Sequence, residues 1–328
     1  MIARGPVTIP VWLFAVILVI VGLLLTAPIS FALARATWTR RAPRAALVLW
    51  QAVCLAAGFS VVAGLVLLAV QPLGSSLFGA AWAWFADAFS GTLREPIWRW
   101  VCGLAAAAIT AVLLTVLGRT AVHTLRRRRA HRQVLDLLTR PADRPGDPRR
   151  SGFAPDVRIL DHRAVVAYTL PGWHSRVVLS AGLVELLSPA ELSAVVEHER
   201  AHLRARHDLL VLPFQAWAAA LGRVPGVRSA GSSVAELTEM LADDVAAGRT
   251  STGALASALA KVALSDPAAH RLPAQPAELP AIAGTAVADR VRRLLDPRPL
   301  PALQTAAVYL ASLLLLAIPA STMLLTWT

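Results

Sequence analysis

Apolar and polar positions fall into long blocks. Ile9–Leu33 runs without a charge, Ala45–Leu73 is a second apolar block, Ile97–Leu117 a third marked only by Arg99, and Ala302–Trp327 a fourth. Each exceeds the ~20 residues that carry a helix across a bilayer. The first is too long for a signal peptide and no small-residue cleavage site follows it, so a retained anchor is expected. Between the third and fourth blocks the pattern changes. Val157–Leu160, Ala164–Leu170 and Arg176–Ser180 are short β-branched runs separated by Asp161-His162-Arg163 and Pro171-Gly172-Trp173-His174, which predicts a small antiparallel sheet. Ser188-Pro189-Ala190-Glu191 reads as a capping box with proline at the first helical position, and Leu192, Val195 and Val196 continue an apolar helical stripe. Ser233-Val234-Ala235-Glu236 reads as a second capping box, opening a helix that ends near Gly248. Leu209–Leu221 is apolar but broken by Pro213 and Gln215. At about 20 Å as a helix it is too short for a hydrocarbon core of about 30 Å, so it is expected to pack on the polar domain or dip into the inner leaflet.

Composition sharpens this. A hydrophobic content of 56% and a mean hydropathy of +0.58 exclude an ordinary soluble protein. The formal charge is +12, and its distribution is uneven. Arg35, Arg40, Arg41 and Arg44 lie between the first two blocks, and Arg119 and Arg126–Arg129 follow the third, whereas the loop between the second and third offers Arg94 alone. The positive-inside rule places residues 36–44 and 119–300 in the cytosol and both termini outside the cell membrane. Arg126–Arg129 is expected on anionic headgroups. No groove-reading motif accompanies it, so no direct nucleic-acid partner is expected. Phe78, Trp82, Trp84, Phe85 and Phe89 suggest an interfacial aromatic helix in the outer loop. Ala121–Leu138 continues the third span as a basic helix, Pro141–Pro155 is a linker, and Ser265–Gly284 a second proline-broken loop. Cys54 and Cys102 lie inside apolar blocks and imply no disulfide framework.

The chemistry is concentrated in His198-Glu199-Arg200-Ala201-His202. Residues four apart share a helix face, so both imidazoles can reach one metal ion while Glu199 faces a water beside it as general base. A small sheet followed by such a helix is the layout of a zincin. The third ligand is expected to be Glu239, with Glu236, Asp243 and Asp244 as alternatives, and Asp243, four residues on, as an acceptor that orients a ligand histidine. His207, five residues past His202, falls off the metal face of a continuous helix. A substrate strand could pair with the sheet edge at Ala167, Tyr168, Thr169 and Leu170. Tyr168 and the arginines are candidates for stabilising an oxyanion.

Glu239-Met240-Leu241-Ala242-Asp243-Asp244-Val245-Ala246 resembles the E-x-x-A-D-x-x-A element of membrane gluzincin peptidases. Ala167–Gly172 and Val178–Leu183 resemble the sheet edge and glycine-leucine that precede their metal helix, and Asp289–Leu295 the basic helix before their last span. The order of parts is similar to that of BlaR/MecR-like membrane metallopeptidases. The resemblance implies an α-helical integral membrane protein with four transmembrane helices. Its cytosolic, mainly α, zincin-like α+β metalloprotease domain is inserted between spans three and four. The corresponding units are a three-helix transmembrane domain over residues 1–122, the protease domain over 123–300 and the fourth helix over 301–328. One Zn2+ per chain and cleavage of a cytosolic protein, in the best-known members relieving a transcriptional repressor, are likewise implied. Those sensors continue past the last span into an antibiotic-binding domain, whereas Thr328 directly follows the last apolar block here, so β-lactam sensing is not expected to carry over. A membrane-protein quality-control protease and a non-enzymatic transducer are the other readings.

Overall fold

A computed structural model describes residues 10–73, 77–90, 96–142, 155–170, 175–265 and 280–321. The turn at 171–174 and most of both proline-rich stretches lie outside the described residues. Among the described residues, four helical stretches are long and apolar enough to cross a membrane: Val11–Ala34, Pro43–Val70, Ile97–Arg127 and Ala302–Ser321. The first is built from α1 (Val11–Leu24), a π-turn at Leu25–Ile29 that accommodates Pro28, and α2 (Ser30–Ala34). Then come α3 (Pro43–Val70), α4 (Leu77–Ser90) and α5 (Ile97–Leu138), which continues from the apolar block into the basic segment. α1 and α3 approach closely through Gly22 and Gly64: a Cβ on Gly64 would sit 2.6 Å from the Ala15 carbonyl oxygen. The aromatic outer loop forms α4, with Trp82 and Phe89 exposed and Trp84 against Trp100.

The sheet differs from expectation. It has four strands, β1 (Thr139–Pro141), β2 (Val157–Leu160), β3 (Ala167–Leu170) and β4 (Arg176–Ser180), in the order β1-β2-β4-β3. β1–β2 and β3–β4 are antiparallel, but β2 and β4 are parallel. The sheet is therefore mixed. β4 inserts between its two predecessors, and β1 lies at the junction of the basic helix and the expected linker, sharing only Pro141 with the latter, where so short a strand carries no pattern of its own. Val157, Ile159, Val177 and Leu179 face a core completed by α6 (Ala181–Leu186), α7 (Pro189–Ala205) and Ala258 of α10 (Thr252–Leu264). Leu160, Leu170, Val178 and Tyr168 form a cluster on the other face.

α8 (His207–Leu221) and α9 (Pro225–Arg249) follow α7. α9 begins at Pro225, so Ser233 is in its interior and caps nothing; burial of Val227 and Ala230 against the apolar helices and the proline at its first turn set the start upstream. Phe214 and Trp217 of α8 and Val227, Ala230, Val234 and Leu237 of α9 share one core with Leu25 and Leu33 of the first apolar stretch and Leu47, Trp50 and Val53 of α3. The indole of Trp50 meets Phe214 edge to face, and the Gln51 side-chain amide donates to the Leu210 carbonyl at 2.8 Å. The apolar bundle and the metal-motif region are thus joined through α8 and α9. α11 (Pro280–Leu295) and α12 (Ala302–Ser321) complete the chain, α12 lying against α3. α11 begins inside the segment read as loop up to Gly284.

α7 is fixed at its start. The Ser188 hydroxyl accepts from Glu191 N, the Ser188 amide donates to Glu191 Oε2 at 2.8 Å, and Glu191 also accepts from Ser257 Oγ at 2.6 Å and Lys261 Nζ at 2.8 Å. Burial alone would raise the Glu191 carboxyl, but the Lys261, Ser257 and Ser188 donors outweigh it and hold the group down at about 2. Because its folded pKa is depressed, this anchor stabilises the fold above the ordinary glutamate range and weakens as pH falls through that range toward 2. Glu191→Gln is expected to lower thermal stability at pH 7, with the gap to wild type closing progressively below about pH 4.5. Thermal unfolding across pH checks this; a gap independent of pH would remove the charge from the argument.

Candidate metal centre

α7 presents His198 and His202 on one face, and α9 crosses it to bring in Glu239. The two Nε2 atoms are 3.2 Å apart, Glu239 Oε2 is 3.4 Å from His198 Nε2, and Glu239 Oε1 is 3.4 Å from His202 Nε2. A tetrahedral ion with bonds of about 2.0–2.1 Å spaces its ligand atoms about 3.3–3.4 Å apart. Among the described residues, these three side chains form the His/Cys/Asp/Glu group with ligand atoms close enough to share one ion. Two imidazoles and a carboxylate are a donor set suited to zinc, so the residues present fit the metal.

The surroundings are charged and closed. Asp243, one turn after Glu239 and 1% exposed, places Oδ1 3.0 Å from His198 Nδ1, at ion-pair distance but off the hydrogen-bond line. Arg290 of α11 donates to Asp243 through two bonds of 2.7 Å, and its remaining terminal nitrogen lies 3.1 Å from Glu239 Oε2. Sequence patterning does not single out Arg290. Its signal is a row of arginines on α11, and only the packing of α11 on α9 decides which one turns inward. Of the alternatives for the third ligand, Glu236 pairs with Arg40 at 2.9 Å and Asp244 with Arg293 at 2.7 Å, both away from the histidines.

His207 is not turned away. Its Nδ1 lies 2.9 Å from His202 Nδ1. The helix is not continuous there: Arg206 adopts φ 47°, ψ 46°, ending α7 and starting α8. That left-handed turn resets the phase and folds the fifth residue after His202 back beneath it. His207 thus contacts the nitrogen of His202 that faces away from Glu239.

Glu199 lines a cavity of about 180 Å³ with His198, Glu239, Arg290 and Ala167 of β3, and the cavity's other walls, including Leu183, Val195, Leu255 and Leu259, are apolar. β3 is the last strand in the sheet order, as a substrate-pairing edge requires. Ala167 reaches this cavity, whereas Tyr168 packs on the opposite sheet face with Leu160 and Val178, which removes it from an oxyanion role. Thr169 and Leu170 continue β3, Leu170 being buried on the Tyr168 side.

Electrostatics follow from burial and pairing. Burial pushes the Glu199 carboxyl up to about 7; the His198 and Arg290 charges oppose this and the Glu239 charge adds to it. Burial also acts to raise Glu239, but His198 and Arg290 outweigh it and hold the carboxyl at about 2. For His198, burial acts to lower the imidazole, and Asp243 and Glu239 reverse this to about 9. Burial takes His202 down to about 4. A carboxyl that titrates near neutral pH beside a firmly ionised one is the division expected of a proton-transferring group and a ligand.

Residues 124–271 match the sequence model of peptidase family M48. The chain is a metallopeptidase. The match contains the metal helix, Glu239 and Asp243 and ends before Arg290. It sets aside the non-enzymatic transducer. No curated protein and no solved structure is significantly similar to the peptidase.

Asp243→Ala is expected to weaken zinc binding by the peptidase by about 10–100-fold, the usual effect of removing a group that orients a ligand histidine. Zinc release to a competing chelator measures this. Unchanged affinity would show that His198 does not depend on Asp243.

Proposed function

We propose that the chain is a zinc endopeptidase of the cell membrane in which His198, His202 and Glu239 hold one zinc ion per chain and Glu199 is the general base. The observation that carries this reading is the near-tetrahedral spacing of the three ligand atoms, with Glu199 lining one cavity together with His198 and Glu239. Bound zinc acidifies a water and polarises a carbonyl. Glu199, with its carboxyl near neutrality, accepts a proton from the attacking water and returns it to the leaving amine. Asp243 orients His198, and Arg290 keeps Asp243 and Glu239 ionised in a buried site. A substrate segment pairs with the β3 edge at Ala167–Leu170, and the apolar walls around Leu183, Val195 and Leu255 receive an aliphatic or aromatic side chain next to the scissile bond.

The protease unit, residues 123–300, then lies on the cytosolic side between the third and fourth spans, as the arginine distribution favours, with the termini outside. The substrate is a protein reached at the cytosolic face. The resemblance to BlaR/MecR-like peptidases points to a cytosolic repressor cut in a signal response. A second reading, cleavage of membrane proteins for quality control, is favoured by one observation: α9, which carries Glu239, shares its core with Leu25, Leu33 and Trp50 of the apolar helices. That contact supports a site close to the bilayer. A single cytosolic product supports the first reading and many membrane fragments the second.

Glu199→Gln is expected to retain one zinc per chain and to lose peptidase activity on an unfolded reporter protein by about 10²–10⁴-fold. An active, zinc-loaded Gln variant would sink the role given to Glu199.

A further inference from the structure

The helices that build the metal centre also wall a second, larger cavity. It has a volume of about 520 Å³, within the ~300–1,000 Å³ typical of small-ligand sites. Met240, Asp244 and Ala247 of α9 and Arg292, Arg293 and Leu294 of α11 line it, next in sequence to Glu239 and Asp243 and to Arg290. The remaining wall is the turn before α3, with Arg40 and Arg41, and the segment before α12, with Arg298 and Pro299. Hydrogen bonds close these pieces together: Arg41 Nε donates to the Arg298 carbonyl at 3.1 Å, Leu300 N to the Arg41 carbonyl at 3.3 Å, and Arg293 Nε to the Arg40 carbonyl at 2.8 Å.

Position and lining narrow the chemistry of an occupant. The cavity opens where α2 ends, α3 begins and α12 begins, at the polar ends of three apolar helices. Five arginines face three aspartates around it, while Met240 and Leu294 supply a buried apolar floor. Arg292 and Arg298 are 74% and 77% exposed and, among the described residues, pair locally in sequence with Asp289 and Asp296. Such surface pairs contribute little, so their guanidinium groups can turn to a stronger anion. A rim of arginine above an apolar floor, at the ends of apolar helices, matches the phosphate and glycerol-ester parts of a phospholipid.

We propose that this cavity binds the phosphate-bearing headgroup of an anionic phospholipid, with Arg292 and Arg298 on the phosphate. The lipid braces α11 against α9, and α11 carries Arg290, which holds Asp243 and Glu239. Headgroup occupancy therefore supports the metal centre. This last consequence rests on the proposed peptidase function; lipid binding itself does not.

The full chain in detergent, carrying Glu199→Gln, is stripped of lipid and offered phosphatidylglycerol or phosphatidylcholine, and bound lipid per chain is read by native mass spectrometry. Phosphatidylglycerol is expected to be retained in preference to phosphatidylcholine, and R292Q/R298Q to weaken that retention roughly tenfold to thirtyfold, with R292K/R298K recovering most of it. Both arginines are at the surface, so the fold is not at stake. Equal retention by R292Q/R298Q, or no preference between the two lipids, would overturn the proposal. So would displacement of the lipid by millimolar inorganic phosphate, which would make this a free-phosphate site. In a second arm, the chain with Glu199 intact is expected to cleave an unfolded reporter several-fold faster in phosphatidylglycerol vesicles than in phosphatidylcholine, a gain absent from R292Q/R298Q. Equal cleavage in the two vesicles would overturn the link from headgroup to metal centre. No cleavage in either would count against the peptidase function, while lipid binding stands or falls on the mass-spectrometric arm.

Discussion

One guanidinium, that of Arg290, ties together two of the carboxylates at the candidate site. Glu199, Glu239 and Asp243 crowd around two imidazoles in a site partly closed by α7, α9, α11 and β3, and like charges so placed repel and resist burial. Arg290 answers two of the three carboxylates, through paired hydrogen bonds to Asp243 and a contact to Glu239. Glu199 has no such partner among the described residues, and its carboxyl is the one driven up to about 7. Three chemically similar carboxylates therefore differ through their surroundings: burial raises Glu199, whereas against the same burial His198 and Arg290 hold Glu239 down, and Arg290 and His198 hold Asp243 down. Glu239 and Asp243 are thus held ionised, while Glu199 is the carboxyl raised toward neutral pH, the division that the proposed roles of ligand, orienting group and general base require.

That arginine is placed by helices that serve two regions at once. α9 buries its first half among residues of the apolar helices and carries Glu239 and Asp243 in its second half. α11 turns Arg290 toward the site and Arg293 toward Asp244 and the Arg40 carbonyl. The core shared by α9 and the apolar helices thus adjoins the part of α9 that carries Glu239 and Asp243. The same double duty explains why α8 is short: its apolar face covers α3 and α5 rather than crossing a bilayer.

Much of this was legible in the sequence, because the signals concerned are local. Apolar blocks longer than 18 residues, the capping box at Ser188 and the H-E-x-x-H spacing each depend on neighbours within a few turns, and the structure places an apolar stretch, a helix start and a paired imidazole face at those positions. What escaped the sequence was set by long-range packing. The parallel pairing of β2 with β4 needs a strand inserted out of order, which period-two alternation does not encode. The upstream start of α9 overrides a plausible cap at Ser233, because burial against the apolar helices outweighs a single capping bond. The position of His207 hinges on one left-handed residue, Arg206, with no glycine or asparagine to announce it.

The most direct test of the central claim is zinc content per chain, measured by elemental analysis on detergent-purified wild type and Glu239→Ala after equilibration with zinc and removal of excess. The account predicts one zinc in the wild type and a clear loss in the variant, because the His198–His202 pair alone leaves the ion with two protein ligands. No zinc in the wild type, or an undiminished zinc in Glu239→Ala, would contradict a centre built from His198, His202 and Glu239.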